Sequence, residues 1–157
     1  MATQVVDHSA LKVNQAGIVL TVLVAFIGSF FVRPVWFLIP ALAVVLLVGT
    51  VNPRLALFKQ LYFKVLKPRG IVKPRLVQDR PEPHNFAQGL GGVFLVVSSV
   101  FLFAPLLTGD FRPSPLQVIG FSIALLVAVL AFVNLAFGYC LGCQIYFQLG
   151  KRGLIRA

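Results

Sequence analysis

The chain has 157 residues, of which 59% are hydrophobic and 11% charged, and carries a formal net charge of +10; its mean hydropathy is +0.93. So apolar a composition excludes an ordinary soluble domain of this size and points to an integral membrane protein. The positive charge would suit nucleic acid if it were spread evenly, but its clustering along the chain assigns it to a membrane face.

Taken in order, the elements describe one all-α membrane domain, 1–157. It has four transmembrane helices in an antiparallel bundle and an amphipathic helix in the interface. Residues 1–12 are polar, and the run 13–32 holds no charge over 20 residues, the length a spanning helix needs. Because this run is as long as a span rather than a short signal core, the amino terminus is expected to be retained. Thr21, Ala25 and Gly28 place small side chains at helical spacing, which favours close packing on a neighbour. Arg33-Pro34 marks a tight turn into a second span, 34–51, with Trp36 near its start and Pro40 either kinking it or lying in its first turns. The first two spans are expected to form a tight hairpin. Asn52-Pro53 ends the second, and 53–66 sets basic residues at 54, 59 and 64 among Leu, Phe and Tyr. That pattern suits a helix lying in the interface with its apolar side chains dipped into lipid. Residues 67–84, rich in Pro and basic residues, read as an extended cytoplasmic connector.

A third span, 86–108, opens with Ala87, Gly89, Gly91 and Gly92, a small-residue face on which another helix can pack. Thr108 to Pro115 is a short turn, and a fourth span runs 116–140. From Leu116 to Cys140 a helix covers roughly 36 Å against a hydrocarbon core of about 30 Å, so the cysteines emerge where the helix leaves the lipid. Of the 14 basic residues, all but Arg33 and Arg112 fall in the amino-terminal segment, the 52–85 connector or the carboxyl tail. This asymmetry places both termini and the connector on the cytoplasmic side of the membrane. It accounts for the charge without nucleic acid and lets the connector meet anionic lipid head groups.

The chemistry resides in Cys140 and Cys143, the two cysteines of the chain, spaced C-x-x-C. Three apart on a helix, their Cα atoms lie roughly 5 to 6 Å from one another, within reach of a disulfide. Such a pair can act catalytically in redox or sulfur-carrying chemistry, or be two small buried hydrophobes. At the carboxyl end of a continuous fourth helix, the dipole works against the thiolate, and slow, partner-dependent chemistry is expected. Cys143 would then be presented to the partner, with Cys140 nearer the lipid and less accessible. No cofactor is required by this reading. The alternative is a metal site: four spans put His8, His84, Cys140 and Cys143 at one membrane face, a donor set suited to zinc or copper(I).

Asn14, Gln15, Gln88 and Asn134 lie at or within spans, where each needs a hydrogen-bond partner, and inter-helix packing is their default use, as it is for Gly91. No span carries an ionisable residue, which excludes a proton pump or voltage sensor. Four acidic residues and no nucleotide motif exclude carboxylate hydrolysis and nucleotide chemistry.

The segments Val6 to Gln15, Asn52 to Leu55, Asn85 to Gly91 and Phe137 to Tyr146 together resemble a family of small bacterial integral-membrane proteins, one of the numbered domains of unknown function. The resemblance covers residues 5 to 150, and Cys140-Leu141-Gly142-Cys143 is its most specific part. The connector here is longer in Pro and charge than the family pattern. The resemblance transfers no activity, but members accompany thioredoxin-like or rhodanese-like sulfurtransferase proteins, which implies thiol or sulfur traffic. The leading reading is therefore a membrane-edge CxxC that exchanges disulfide or persulfide sulfur with a cytoplasmic thioredoxin-like or rhodanese-like partner. A non-catalytic subunit of a larger membrane complex or homo-oligomer is the alternative, with a small transporter or metal-binding module third.

Overall fold

A computed structural model describes residues 4–107 and 114–153. Residues 108–113 of the expected turn, with Arg112 and the end of the third span at 108, and Arg156 lie outside the described residues. In chain order the elements are β1 (Gln4–Asp7), α1 (His8–Gly28), α2 (Leu38–Val51), α3 (Leu57–Leu61), β2 (Leu76–Asp79), α4 (Pro81–Leu107), α5 (Pro115–Phe137) and α6 (Leu141–Lys151). A 3₁₀ turn, Arg33–Phe37, leads into α2, and a π turn, Tyr62–Leu66, continues α3.

α1, α4 and α5 are long and apolar enough to cross a bilayer, and the shorter apolar helix Val35–Val51 is the fourth member of the bundle. Their outward faces carry Leu20, Val24, Val44, Val100, Val118 and Val129, each more than half exposed. A continuous apolar surface of this kind is what a lipid-facing bundle presents, since lipid rather than water covers it. The fold is that of an all-α polytopic membrane protein, with one small departure. β1 and β2 pair antiparallel, Gln4 opposite Asp79 and Asp7 opposite Leu76, so the connector is only partly extended, and its last residues, 81–84, belong to α4, which starts five residues before the expected span.

Inside, Ile18, Val22 and Ala25 of α1 meet Leu42 and Leu46 of α2, Leu95 and Leu102 of α4, and Ala124 and Ala128 of α5. α1 packs chiefly on α5 and α2 chiefly on α4, so the first two spans are joined by a short turn without forming the tight hairpin expected of them. The small-residue face of α4 is used as its composition predicts. A Cβ at Gly89 would come within 3.0 Å of the Thr50 side chain, and one at Gly92 within 2.9 Å of that of Leu47, so both glycines leave room for α2 side chains to seat against α4. Gly91 instead faces Val127 of α5 at an ordinary 3.7 Å. Pro40 sits in the first turn of α2, where its missing N–H costs no hydrogen bond.

One end of the bundle gathers β1, β2, α3 and α6 into a cap. Its knot is Asp7, 8% exposed, which closes α1 as N-cap by accepting from the Ser9 N–H at 3.1 Å. The same carboxylate accepts from the Arg75 N–H at 3.1 Å and the Tyr62 hydroxyl at 2.9 Å. Burial, then the hydrogen bond to Asp7 and its negative charge, raise the Tyr62 hydroxyl above its ordinary pKa. Tyr62 is thus enclosed by protein rather than dipped into lipid, and Phe58 lies across Gly17 of α1. Leu55, Leu57, Leu61 and Phe63 remain exposed on this segment, as an interfacial element requires.

Replacing Asp7 with Ala uncaps α1 and leaves the buried Tyr62 hydroxyl without its acceptor. The expected cost is about 2 to 4 kcal/mol, read as a lowered midpoint in denaturant unfolding of the detergent-solubilised protein. A midpoint equal to that of the parent would refute the role given to the knot.

Candidate functional site

The cysteines sit in the cap, and their setting differs from the one expected of them. α5 does not run on to residue 140. It stops at Phe137, where Gly138 takes φ 69° as C-cap and donates its N–H to the Asn134 carbonyl. Only glycine adopts that conformation without strain. The chain then turns and starts α6, with Cys140 as N-cap and Cys143 in the first turn. The helix dipole therefore favours a thiolate at Cys140, the reverse of what a continuous fourth helix would impose.

Cys140 and Cys143 form a disulfide, their Cα atoms 5.2 Å apart. The Cys143 N–H points at Cys140 Sγ at 3.2 Å, the hydrogen bond an N-cap side chain makes, and it stabilises negative charge on that sulfur once the disulfide opens. Accessibility is also reversed from expectation. Cys143 is buried at 9% exposure, while Cys140 is the more exposed sulfur. α6 is held close by Gly142, where a Cβ would fall 2.5 Å from the Ala87 Cβ, so the helix rests on the backbone of α4.

That contact brings in the first turn of α4. His84 Nδ1 lies 3.6 Å from Cys143 Sγ, and its Nε2 lies 3.0 Å from Asp79 Oδ2. His8 Nε2 reaches the same carboxylate oxygen at 3.1 Å, its ring edge-on to that of His84 at 6.0 Å. A carboxylate only accepts, so Asp79 draws the proton of each imidazole to Nε2 and leaves the His84 Nδ1 lone pair facing the sulfur. Burial raises the Asp79 pKa, but the hydrogen bonds from His84, the Arg80 N–H and His8 outweigh it, and the net shift is downward.

This array is Asp79, His84, Cys143 and Cys140 in sequence across three elements. The structure brings together all four expected donors, His8, His84, Cys140 and Cys143, but as two overlapping groups: His84 with both cysteines, and His8 with Asp79 and His84. Asp79 is the member that residue patterns did not disclose. The packing polars divide. Asn14 donates to Gln88 Oε1 at 3.3 Å and Gln88 donates to the Leu46 carbonyl at 3.0 Å, tying α1, α4 and α2 together. Gln15 and Asn134 make no side-chain hydrogen bond among the described residues and instead line a cavity beside Cys140.

A depressed pKa makes Asp79 contribute stability that is complete above its ordinary value of 3.8 and lost as pH falls through the lower folded-state value. The thermal midpoint should therefore drop as pH falls below 3.8, and Asp79→Asn should flatten that drop. A variant as acid-sensitive as the parent would contradict the assignment.

Fold and site together define a small polytopic membrane protein that holds a cysteine pair at a helix amino terminus, backed by histidine and carboxylate. The chain belongs to the family described as Domain of unknown function (DUF4395), whose profile matches residues 6–151. No curated protein and no solved structure matches the chain.

Proposed function

We propose that this protein is an inner-membrane thiol–disulfide exchange protein, with Cys140 and Cys143 cycling between disulfide and dithiol against a cytoplasmic thiol protein of the thioredoxin-like or rhodanese-like kind. The observation that carries the reading is the disulfide at the α6 N-terminus with His84 against Cys143 Sγ. A partner thiolate attacks Cys140 Sγ, the more accessible sulfur, and the S–S electron pair leaves on Cys143, which takes a proton from the His84 imidazolium. In the opposite direction His84 Nδ1 accepts the Cys143 proton, and the new thiolate resolves a mixed disulfide held on Cys140. Asp79 fixes the imidazole tautomer and balances its charge, and so acts as a positioning residue.

The basic residues that crowd the amino-terminal segment, connector and tail support a cytoplasmic location for this cap and for both termini. They also suit an acidic docking surface on the partner. In inverted membrane vesicles, maleimide should label both cysteines after reduction and neither before it. Thiols that never change redox state and never form a mixed disulfide would defeat the proposal, and would favour a non-catalytic subunit of a larger complex.

A second reading rests on the same geometry in the reduced state. His84 and the two sulfurs lie within 4.8 Å of one another, three donors suited to zinc or copper(I) with a fourth position open. Elemental analysis of anaerobically purified, reduced protein decides it: one equivalent of metal per chain, lost in His84→Ala, would establish the site.

A further inference from the structure

A cavity of about 290 Å³ lies inside the bundle with Cys140 in its wall, near the small end of the range for small-molecule sites. Its lining is mostly aliphatic and includes Ile18, Leu46, Leu90 and Phe94. Three amide side chains, Gln15, Gln88 and Asn134, interrupt that lining, and apart from Cys140 it contains no ionisable side chain. Phe94 of α4 and Leu126 and Leu130 of α5 also line it and are 37% to 50% exposed, so it is reached from the apolar outer face of the two spans.

These features restrict the occupant. It is uncharged, because nothing in the wall would neutralise a phosphate or carboxylate, which excludes nicotinamide and flavin nucleotides. It arrives through the lipid and is largely apolar. It offers hydrogen-bond acceptors to the half-buried amides of Gln15 and Asn134, each with two N–H donors and no side-chain partner among the described residues. Lying against a redox-active sulfur, it is able to take up two electrons. A lipid-soluble quinone has all four properties.

We propose that the cavity beside Cys140 binds a quinone, which reoxidises the Cys140–Cys143 dithiol and so couples the exchange site to the lipid phase. The inference rests on the exchange reading given above. The Cys140 thiolate adds to the quinone ring, forming a C–S bond and reducing the ring. Cys143, deprotonated by His84, then attacks Cys140 Sγ. The S–S bond forms as the C–S bond breaks, and the electron pair remains on the ring. The two thiol protons end on the two ring oxygens, one of them relayed by His84. One dithiol and one quinone give one disulfide and one hydroquinone, with two electrons and two protons transferred.

The test uses full-length protein in lipid nanodiscs, reduced with dithiothreitol, desalted, and mixed anaerobically with decylubiquinone or with the soluble oxidant diamide. Quinone absorbance reports its reduction and maleimide trapping counts remaining thiols. The expected result is one quinone reduced and two thiols lost per chain. Leu130→Trp, which fills the cavity, and Asn134→Leu, which removes a donor, should each lower quinone-driven oxidation at least tenfold relative to diamide-driven oxidation of the same variant. Two variants at separate positions guard against a single misfolded one. If diamide closes the disulfide but decylubiquinone leaves the thiols reduced, the quinone inference fails and exchange stands. If neither oxidant closes it, the exchange reading itself fails. Quinone oxidation that neither variant slows relative to diamide would place the reaction outside the cavity and overturn the inference.

Discussion

A Cys143→Ser variant is expected to accumulate as a mixed disulfide through Cys140 when mixed with a single-cysteine thioredoxin-like partner whose thiol carries a thionitrobenzoate leaving group, whereas Cys140→Ser should yield no adduct. The asymmetry follows from the helix start at residue 140. Cys140 is the more exposed sulfur and receives the Cys143 N–H at 3.2 Å, and that donor is a backbone group that survives replacement of the side chain. Its thiolate therefore forms in the Cys143→Ser variant and attacks, but no second thiol is present to release the partner. Cys143 alone is buried against His84 and has no path to a large partner. Turnover should fall at least about 10³-fold in both variants, since a hydroxyl ionises far less readily than a thiol. Non-reducing electrophoresis distinguishes them, because only one traps. Trapping through Cys143 instead would reverse the assignment of attacking and resolving sulfurs.

The four-helix membrane architecture was legible because it depends on composition and run length, two properties that lipid reads directly. Gly89 and Gly92 were legible as packing surface for the same reason: small size at helical spacing permits only close approach. What failed was the polarity argument about the cysteines, and the failure has a specific cause. The uncharged run 116–140 contains no Pro and reads as one helix by hydropathy, yet Gly138 ends it three residues early. Phe137-Gly138 followed by a short polar-capped amphipathic stretch was the available signal, a glycine at the C-cap position near a helix end. Asp79 was not readable at all. Its role depends on pairing two four-residue strands separated by the whole of α1, α2 and α3, and no local pattern encodes a contact at that distance. Only the scarcity of acidic residues, four in the chain, marked it for attention. The exposure order of the two sulfurs was likewise unreadable, because it depends on Gly142 resting on Ala87.

His84→Ala should lower exchange at neutral pH by about 10²- to 10³-fold, within the range that general acid–base groups supply. The pH dependence distinguishes this loss from a structural one. Without His84, Cys143 must ionise unaided, and an ordinary thiol does so only near pH 8.5, so most of its sulfur is protonated at pH 7. Raising the pH to about 9 supplies the thiolate by other means, and the variant should then recover most of its rate while the parent changes little. A collapsed site would not recover. Asp79→Asn should move the profile in the same direction by a smaller amount, because Asn can donate as well as accept and no longer fixes the proton on His84 Nε2. His8 provides the control. It shares Asp79 but stands outside the donor group formed by His84 and the two cysteines, so His8→Ala should leave the shape of the pH profile intact. Stopped-flow measurement of dithiol exchange from pH 6 to 9 on the three variants checks all of this at once. A His84→Ala profile parallel to the parent's, low at every pH, would remove His84 from the proton path and leave it a packing role under α6.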